Sequence, residues 1–145
     1  MTSVVVRDGR SHPGIDASSA WALVADLNRL DEWLGAKLVG SMTTEVPGVG
    51  HVFFVGMTGR SSPDRSVRLR VAEWEAGSRY LCEIAELSVL REGKLEVVVA
   101  GAPHADTTIR LTLSGEAPGW AAPLLRKEVG RRFRSAHRRI DSLLA

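Results

Sequence analysis

Four histidines, one cysteine and two neighbouring glutamates are the side chains of this sequence most suited to chemistry. His12, His51, His104 and His137 carry the ring whose charge changes near neutral pH, so each could move a proton. A zinc site draws three or four ligands, some of them close in sequence. His51 and His104 are far apart and no His-x-x-x-His occurs, so no metal is expected. His51 follows a glycine turn at a strand start and is the weak candidate for a catalytic acid or base; the plainer alternative is a hydrogen-bonded turn residue. His137 comes four residues after Phe133 and reads as the flank of an apolar helix stripe. His104 belongs to a turn and reads as exposed. Cys82 is the sole cysteine, which excludes an internal disulfide and a cysteine-based metal cluster. With Tyr80, Leu81 and Ile84 around it, Cys82 reads as a small buried hydrophobe. Glu83 and Glu86 could form an acid/base pair, but their spacing puts them on opposite strand faces, which favours surface charges. No nucleophile elbow and no phosphate-binding glycine loop is present, and no cofactor is expected.

Such residues need a scaffold, and the bulk numbers bound it. A length of 145 residues suits one domain, residues 1–145, with a core of its own. Apolar residues make up 44% and charged residues 25%, as in an ordinary globular chain. No apolar run approaches the length of a membrane span. The start, Met1 to Asp8, lacks a charged segment followed by an apolar one, so no signal peptide is expected and a cytoplasmic location is the default. The formal net charge is +2, but it is unevenly spread. From Pro118 to Ala145 seven cations face two anions, a surplus of five, which leaves −3 on the remainder.

The pattern of elements explains where that surplus sits. Ser3 to Arg7 is a β-branched run and reads as a first strand; Gly9 to Gly14 is turn-like, though the strand could continue through it. Asp16 or Ser18 can cap a helix in which Trp21, Val24 and Leu27 form one stripe. Leu30, Trp33 and Leu34 make a second short stripe ended by Gly35. Strands follow at Lys37 to Glu45 and His51 to Met57, separated by Pro47-Gly48-Val49-Gly50. Alternation then marks four more: Val67, Leu69 and Val71; Tyr80, Cys82 and Ile84; Leu95, Val97 and Val99; Ile109, Leu111 and Leu113. Short turns between them imply an antiparallel meander. Leu125, Val129, Phe133, Ala136 and Ile140 recur at helical spacing, the cleanest periodicity in the chain, with most of the arginines on the other face. That basic face reads as solvated. Weak attraction to an anionic lipid surface is the alternative. Nucleic acid is not expected, because neither interleaved aromatics nor a recognised module is present.

The order of strand, two short helices, six strands and one long helix resembles the helix-grip fold of the SRPBCC superfamily, which includes START lipid-binding domains and polyketide cyclase/dehydrase-like proteins, many of them bacterial. The resemblance is carried by Trp21, Asp26-Leu27 and Trp33, by Gly48-Val49-Gly50, by Val71-Ala72-Glu73-Trp74 with Arg79, and by Thr107-Thr108-Ile109 before the last helix. It spans nearly the whole chain. It implies an α+β fold: a curved antiparallel sheet of about seven strands, two short helices after strand 1, and a long C-terminal helix gripped by the sheet. It also implies an apolar cavity between sheet and helix, with Trp33, Phe53, Leu69, Tyr80, Cys82, Val97, Leu111, Val129 and Phe133 as candidate ligand contacts. Trp33 would stand at the pocket mouth, and the facing of His51 to Phe54 stays open between two registers. The function implied is binding of a hydrophobic lipid-, polyketide- or aromatic-like molecule. The alternatives are an enzyme of the cyclase, aromatase or dehydratase kind, and a toxin-type interaction protein that uses the basic helix. No catalytic residue transfers from the resemblance.

Overall fold

The computed structural model describes residues 1–41, 48–57, 66–85, 89–101 and 106–145. Among them, seven strands form one antiparallel sheet: β1 (Thr2–His12), β2 (Ala36–Ser41), β3 (Val52–Met57), β4 (Ser66–Glu75), β5 (Arg79–Ala85), β6 (Arg91–Ala100) and β7 (Thr107–Ala117). The spatial order is β1-β7-β6-β5-β4-β3-β2. The meander from β2 to β7 therefore ends beside β1, and the chain crosses from one sheet edge to the other between β1 and β2. That crossing is made by α1 (Ala17–Val24), a 3₁₀ turn at Leu27–Arg29 and α2 (Leu30–Trp33). A last helix, α3 (Ala122–Leu144), completes the α+β helix-grip architecture. No helix among the described residues is long and apolar enough to cross a membrane.

Local signals set the helix ends. Asp16 is the N-cap of α1, its carboxylate accepting from the Ser19 amide at 2.7 Å, a contact worth about 1 kcal/mol. Asp26 caps the 3₁₀ turn by accepting from the Asn28 amide at 3.1 Å. Gly35 sits at φ 75° and donates its N–H to the Leu30 carbonyl, 3.1 Å away, ending α2 in a conformation that suits glycine.

The inward face of the sheet is a ladder of apolar partners. Val67 and Leu69 of β4 lie opposite Val55 and Phe53 of β3. Cys82 and Tyr80 of β5 lie opposite Leu95 and Val97 of β6, which in turn face Leu113 and Leu111 of β7. The open register at β3 is thus resolved with Phe53 and Val55 buried against the core. A bulge between Val71 and Glu73 shifts β4 by one residue. Simple alternation from Val67 would turn Trp74 outward; the bulge brings it back beside Tyr80. Strand β1 runs on to His12, so the turn-like Gly9 to His12 stretch is strand; its pairing with β7 continues to His12 opposite Thr107.

Helix α3 is buried at its first turn and along its second half, and less so between them. Ala122 packs with Val4 and Ala117 in a small cluster. Phe133, Ala136 and Ile140 enter the main core, whereas Leu125 and Val129 stay half-buried. The helix packs against β1, β7, α1 and α2. Its first half therefore stands off the central strands.

Candidate functional site: a cavity under the last helix

The stand-off leaves a cavity of about 260 Å³. Leu27, Leu30 and Leu34 line it from the crossing segment, Ala36 from the start of β2, and Phe53, Val55, Val67 and Leu69 from β3 and β4. Tyr80, Cys82 and Ile84 of β5, with Leu95 and Leu113, form its floor. Leu125, Glu128, Val129, Arg132 and Phe133 of α3 form the roof. Half-buried Leu34, Ile84, Leu113, Leu125 and Val129 mark the side that meets solvent; Phe53, Leu69, Tyr80, Cys82 and Phe133 are buried deeper in.

Tyr80 and Cys82 on the floor of the cavity are held in their neutral forms. Tyr80 is fully enclosed; its hydroxyl donates to the Val24 carbonyl at 2.7 Å, tying the end of α1 to the sheet. Burial, with a smaller contribution from Cys82, pushes the phenol well above its ordinary range. The ring stacks on Trp74 and meets the edge of Trp21, so an aromatic cluster closes this side. Burial pushes the Cys82 thiol up to about 12. At neutral pH it stays a thiol and is no nucleophile. The charged side chains of the lining are Glu128 and Arg132, four residues apart on α3.

Of the residues expected from sequence to contact a ligand, Phe53, Leu69, Tyr80, Cys82, Val129 and Phe133 come together in this lining. Trp33, Val97 and Leu111 are fully buried in the core but are not part of it. For Trp33 this corrects the expected place at the pocket mouth. The single turn of α2 carries its ring inward, and its Nε1 finds no partner among the described residues. Val97 and Leu111 pair with each other two residues along the strands from lining residues Leu95 and Leu113. His51 also lies outside the lining, its ring tilted against Phe53 with centroids 5.8 Å apart. Glu83 is exposed and bonded to Arg70 at 2.6 Å; Glu86 and His104 fall outside the described residues. Trp120 is largely exposed. The sequence reading missed Leu27, Leu30, Leu34, Ala36, Val55, Val67, Ile84, Leu95, Leu113, Leu125, Glu128 and Arg132 as lining; for most of the apolar ones periodicity marked a face, not a gap.

The structure also corrects His137, which is not a helix flank. His12 and His137 are buried together, with ring centroids 5.1 Å apart, away from the cavity. Asp141 Oδ1 accepts from His12 Nδ1 at 2.6 Å, His12 Nε2 and His137 Nδ1 share a hydrogen bond of 3.0 Å, and the Asp8 carbonyl accepts from His137 Nε2 at 3.0 Å. Burial holds the His137 pKa below the usual imidazole value; the Asp8 carbonyl and carboxylate oppose this, and His12 and Arg10 add to it. The unfolded chain therefore protonates His137 at a higher pH than the fold does. Stability from this group is complete above about pH 6.5 and is lost as the pH falls. Thermal unfolding at pH 7.5 and pH 5 checks this: the midpoint is expected to drop, and to drop less in His137→Gln than in the parent.

Comparison with known proteins agrees with the architecture. The profile of the family described as "Polyketide cyclase / dehydrase and lipid transport" matches residues 8–145. The crystal structure of DynU16, from the dynemicin biosynthetic locus, is 22% identical with a TM-score of 0.69, covering 97% of this chain and 46% of that one. The di-domain ARO/CYC StfQ of the steffimycin biosynthetic pathway is 13% identical with a TM-score of 0.77, covering 98% and 50%. A Mesorhizobium loti protein is 18% identical with a TM-score of 0.70, covering 99% and 96%. The chain spans about half the length of DynU16 and StfQ. At these identities the likeness concerns the fold. No curated protein matches the sequence.

Proposed function

The chain belongs to the polyketide cyclase/dehydrase and lipid transport family, and on that premise we propose that it binds a hydrophobic small molecule between the sheet and α3. One observation carries this reading: a cavity of about 260 Å³ whose lining, Glu128 and Arg132 aside, is apolar or carries protic groups already engaged or held neutral. Each 100 Å² of apolar ligand surface taken from water contributes about 2.5 kcal/mol, against an association cost of several kcal/mol. A ligand with a single acyl chain or a small fused-ring body fits that balance, and the volume lies just below the usual range of ligand sites. An enzyme of the cyclase or aromatase kind is the second reading, supported by the family description and by the fold shared with StfQ. In that reading the cavity would act by folding a flexible substrate, since Tyr80 and Cys82 hold their protons at neutral pH.

The test is thermal unfolding with an apolar probe series, decanol first, together with mass spectrometry of small molecules extracted from the purified protein. At a hundredfold excess over its Kd a ligand stabilises by about 2.7 kcal/mol, a shift of several degrees in a domain of this size. A flat response across alcohols, esters and aromatic polyketide-like probes, with nothing extracted, would reject the binding role.

A further inference from the structure

We propose that the outer face of α3 docks reversibly on an anionic lipid surface, with Lys127, Arg131, Arg134 and Arg138 on the headgroups and Trp120 and Leu124 as an apolar anchor at one end. The inference goes beyond the cavity and does not rest on what the cavity holds. It starts from spacing. Trp120, Leu124, Lys127, Arg131, Arg134 and Arg138 follow one another by four, three, four, three and four residues, which on a helix makes a single stripe. That stripe lies nearly opposite the buried one of Ala122, Phe133, Ala136 and Ile140. Trp120 precedes α3, but helical winding has already begun there: the Ala122 N–H donates to the Pro118 carbonyl at 3.0 Å. All six side chains are exposed, Trp120 by 71% and Leu124 by 64%.

Charge and chemistry select the partner. Arg131 is bonded to Glu128 on the flank of the stripe at 2.6 Å, whereas Lys127, Arg134 and Arg138 take part in no ion pair among the described residues. Asp141, the other carboxylate of α3, is turned to His12. The stretch from Pro118 to Ala145 carries a surplus of five positive charges against −3 on the remainder, so a negative surface attracts the molecule with this helix foremost. The four cations span roughly 16 Å of helix, and the sheet lies behind the opposite face, so a helix lying flat brings them to one plane. An anionic bilayer offers both a negative potential and an interface that suits an indole ring. A single-stranded nucleic acid favours aromatics interleaved with the cations. Here Trp120 stands at the end of the row, beside Leu124, which has no ring to stack. An electrostatic and an apolar contact of this size give an attachment that forms and releases.

Co-sedimentation of the full chain with lipid vesicles tests this. At low salt the chain is expected to partition at least about tenfold better onto vesicles of phosphatidylcholine and phosphatidylglycerol in equal parts than onto phosphatidylcholine alone, and high salt is expected to remove the margin. The variant Lys127→Gln/Arg134→Gln/Arg138→Gln is expected to lower that partitioning by at least about tenfold, since each basic residue near the surface contributes roughly fivefold. Trp120→Ala is expected to lower it several-fold. Arg68→Gln/Arg91→Gln/Lys94→Gln removes the same charge from exposed positions of the sheet and is expected to keep partitioning within about twofold. All of these positions are exposed, and unchanged thermal midpoints confirm that the fold is intact. A loss in the sheet variant as large as in the α3 variant overturns the assignment, because net charge then does the binding. Equal partitioning onto both kinds of vesicle overturns it as well. No loss in Trp120→Ala does the same, since a charged face alone does not distinguish a bilayer from other polyanions. Salt-sensitive binding of polyuridylate RNA without sedimentation on vesicles overturns it in favour of nucleic acid.

Discussion

Val129→Trp is expected to lower the affinity for an apolar ligand by at least about tenfold while the free protein stays as stable as the parent. Val129 lies on the roof of the cavity, one helical turn from Leu125 and one from Phe133, and is half-buried. An indole placed there extends into about 260 Å³ of existing space rather than into packed atoms. The overpacking cost that normally attends small-to-large changes is thus small. The ring also covers apolar surface of β5 and β6, which offsets the loss of Val. A ligand, in contrast, loses the volume and the wall it would occupy, and tenfold is about 1.4 kcal/mol. Isothermal titration of decanol into both proteins, with thermal midpoints measured without ligand, reads the two effects separately. Undiminished affinity in a stable variant would place the binding site elsewhere. Val129→Ala is the companion: it opens the same wall and is expected to keep binding.

The second large effect is on stability. Ile140→Ala is expected to cost about 2–5 kcal/mol, against a total of roughly 5–15 kcal/mol for a domain. Ile140 is fully buried in the main core, with Phe133 and Ala136 of the same helix. Truncation leaves a void that its neighbours cannot fill, because His12 and His137 nearby are committed to a hydrogen-bonded chain. Leu143, on the same turn but partly exposed, is expected to change stability by less than about 1 kcal/mol when cut to Ala. Urea unfolding with unchanged slope checks both. A small loss at Ile140 would mean that α3 is anchored chiefly by Phe133 and Ala136.

Both variants sit on a helix whose existence and apolar face are legible in the sequence. The i, i+3 and i+4 recurrence from Leu125 to Ile140 names the face that packs, and the alternation of Val67, Leu69 and Val71 does the same for β4. The capping carboxylate of Asp16 and the glycine at 35 mark the ends of the crossing helices. These signals are local: each depends on side-chain geometry within a turn or a strand, which the residues carry with them. The resemblance drawn from Trp21, Trp33 and the Val71-to-Trp74 stretch pointed to the same architecture, and the family match and the sheet order agree with it.

What the residues determine alone, then, is which elements form and which face of each is apolar. Tertiary structure decides which inward residues touch one another and which touch empty space. Val97 and Leu95 belong to one apolar row of β6, yet Leu95 lines the cavity and Val97 does not. The difference arises where α3 lifts from the sheet, and no pattern within β6 records it. Trp74 faces inward only because β4 bulges between Val71 and Glu73. His12 and His137 are 125 positions apart and meet because the end of β1 passes under the end of α3. Periodicity is a property of neighbours along the chain, while a gap or a ring-to-ring contact depends on the relative placement of distant elements, set by packing over the whole molecule.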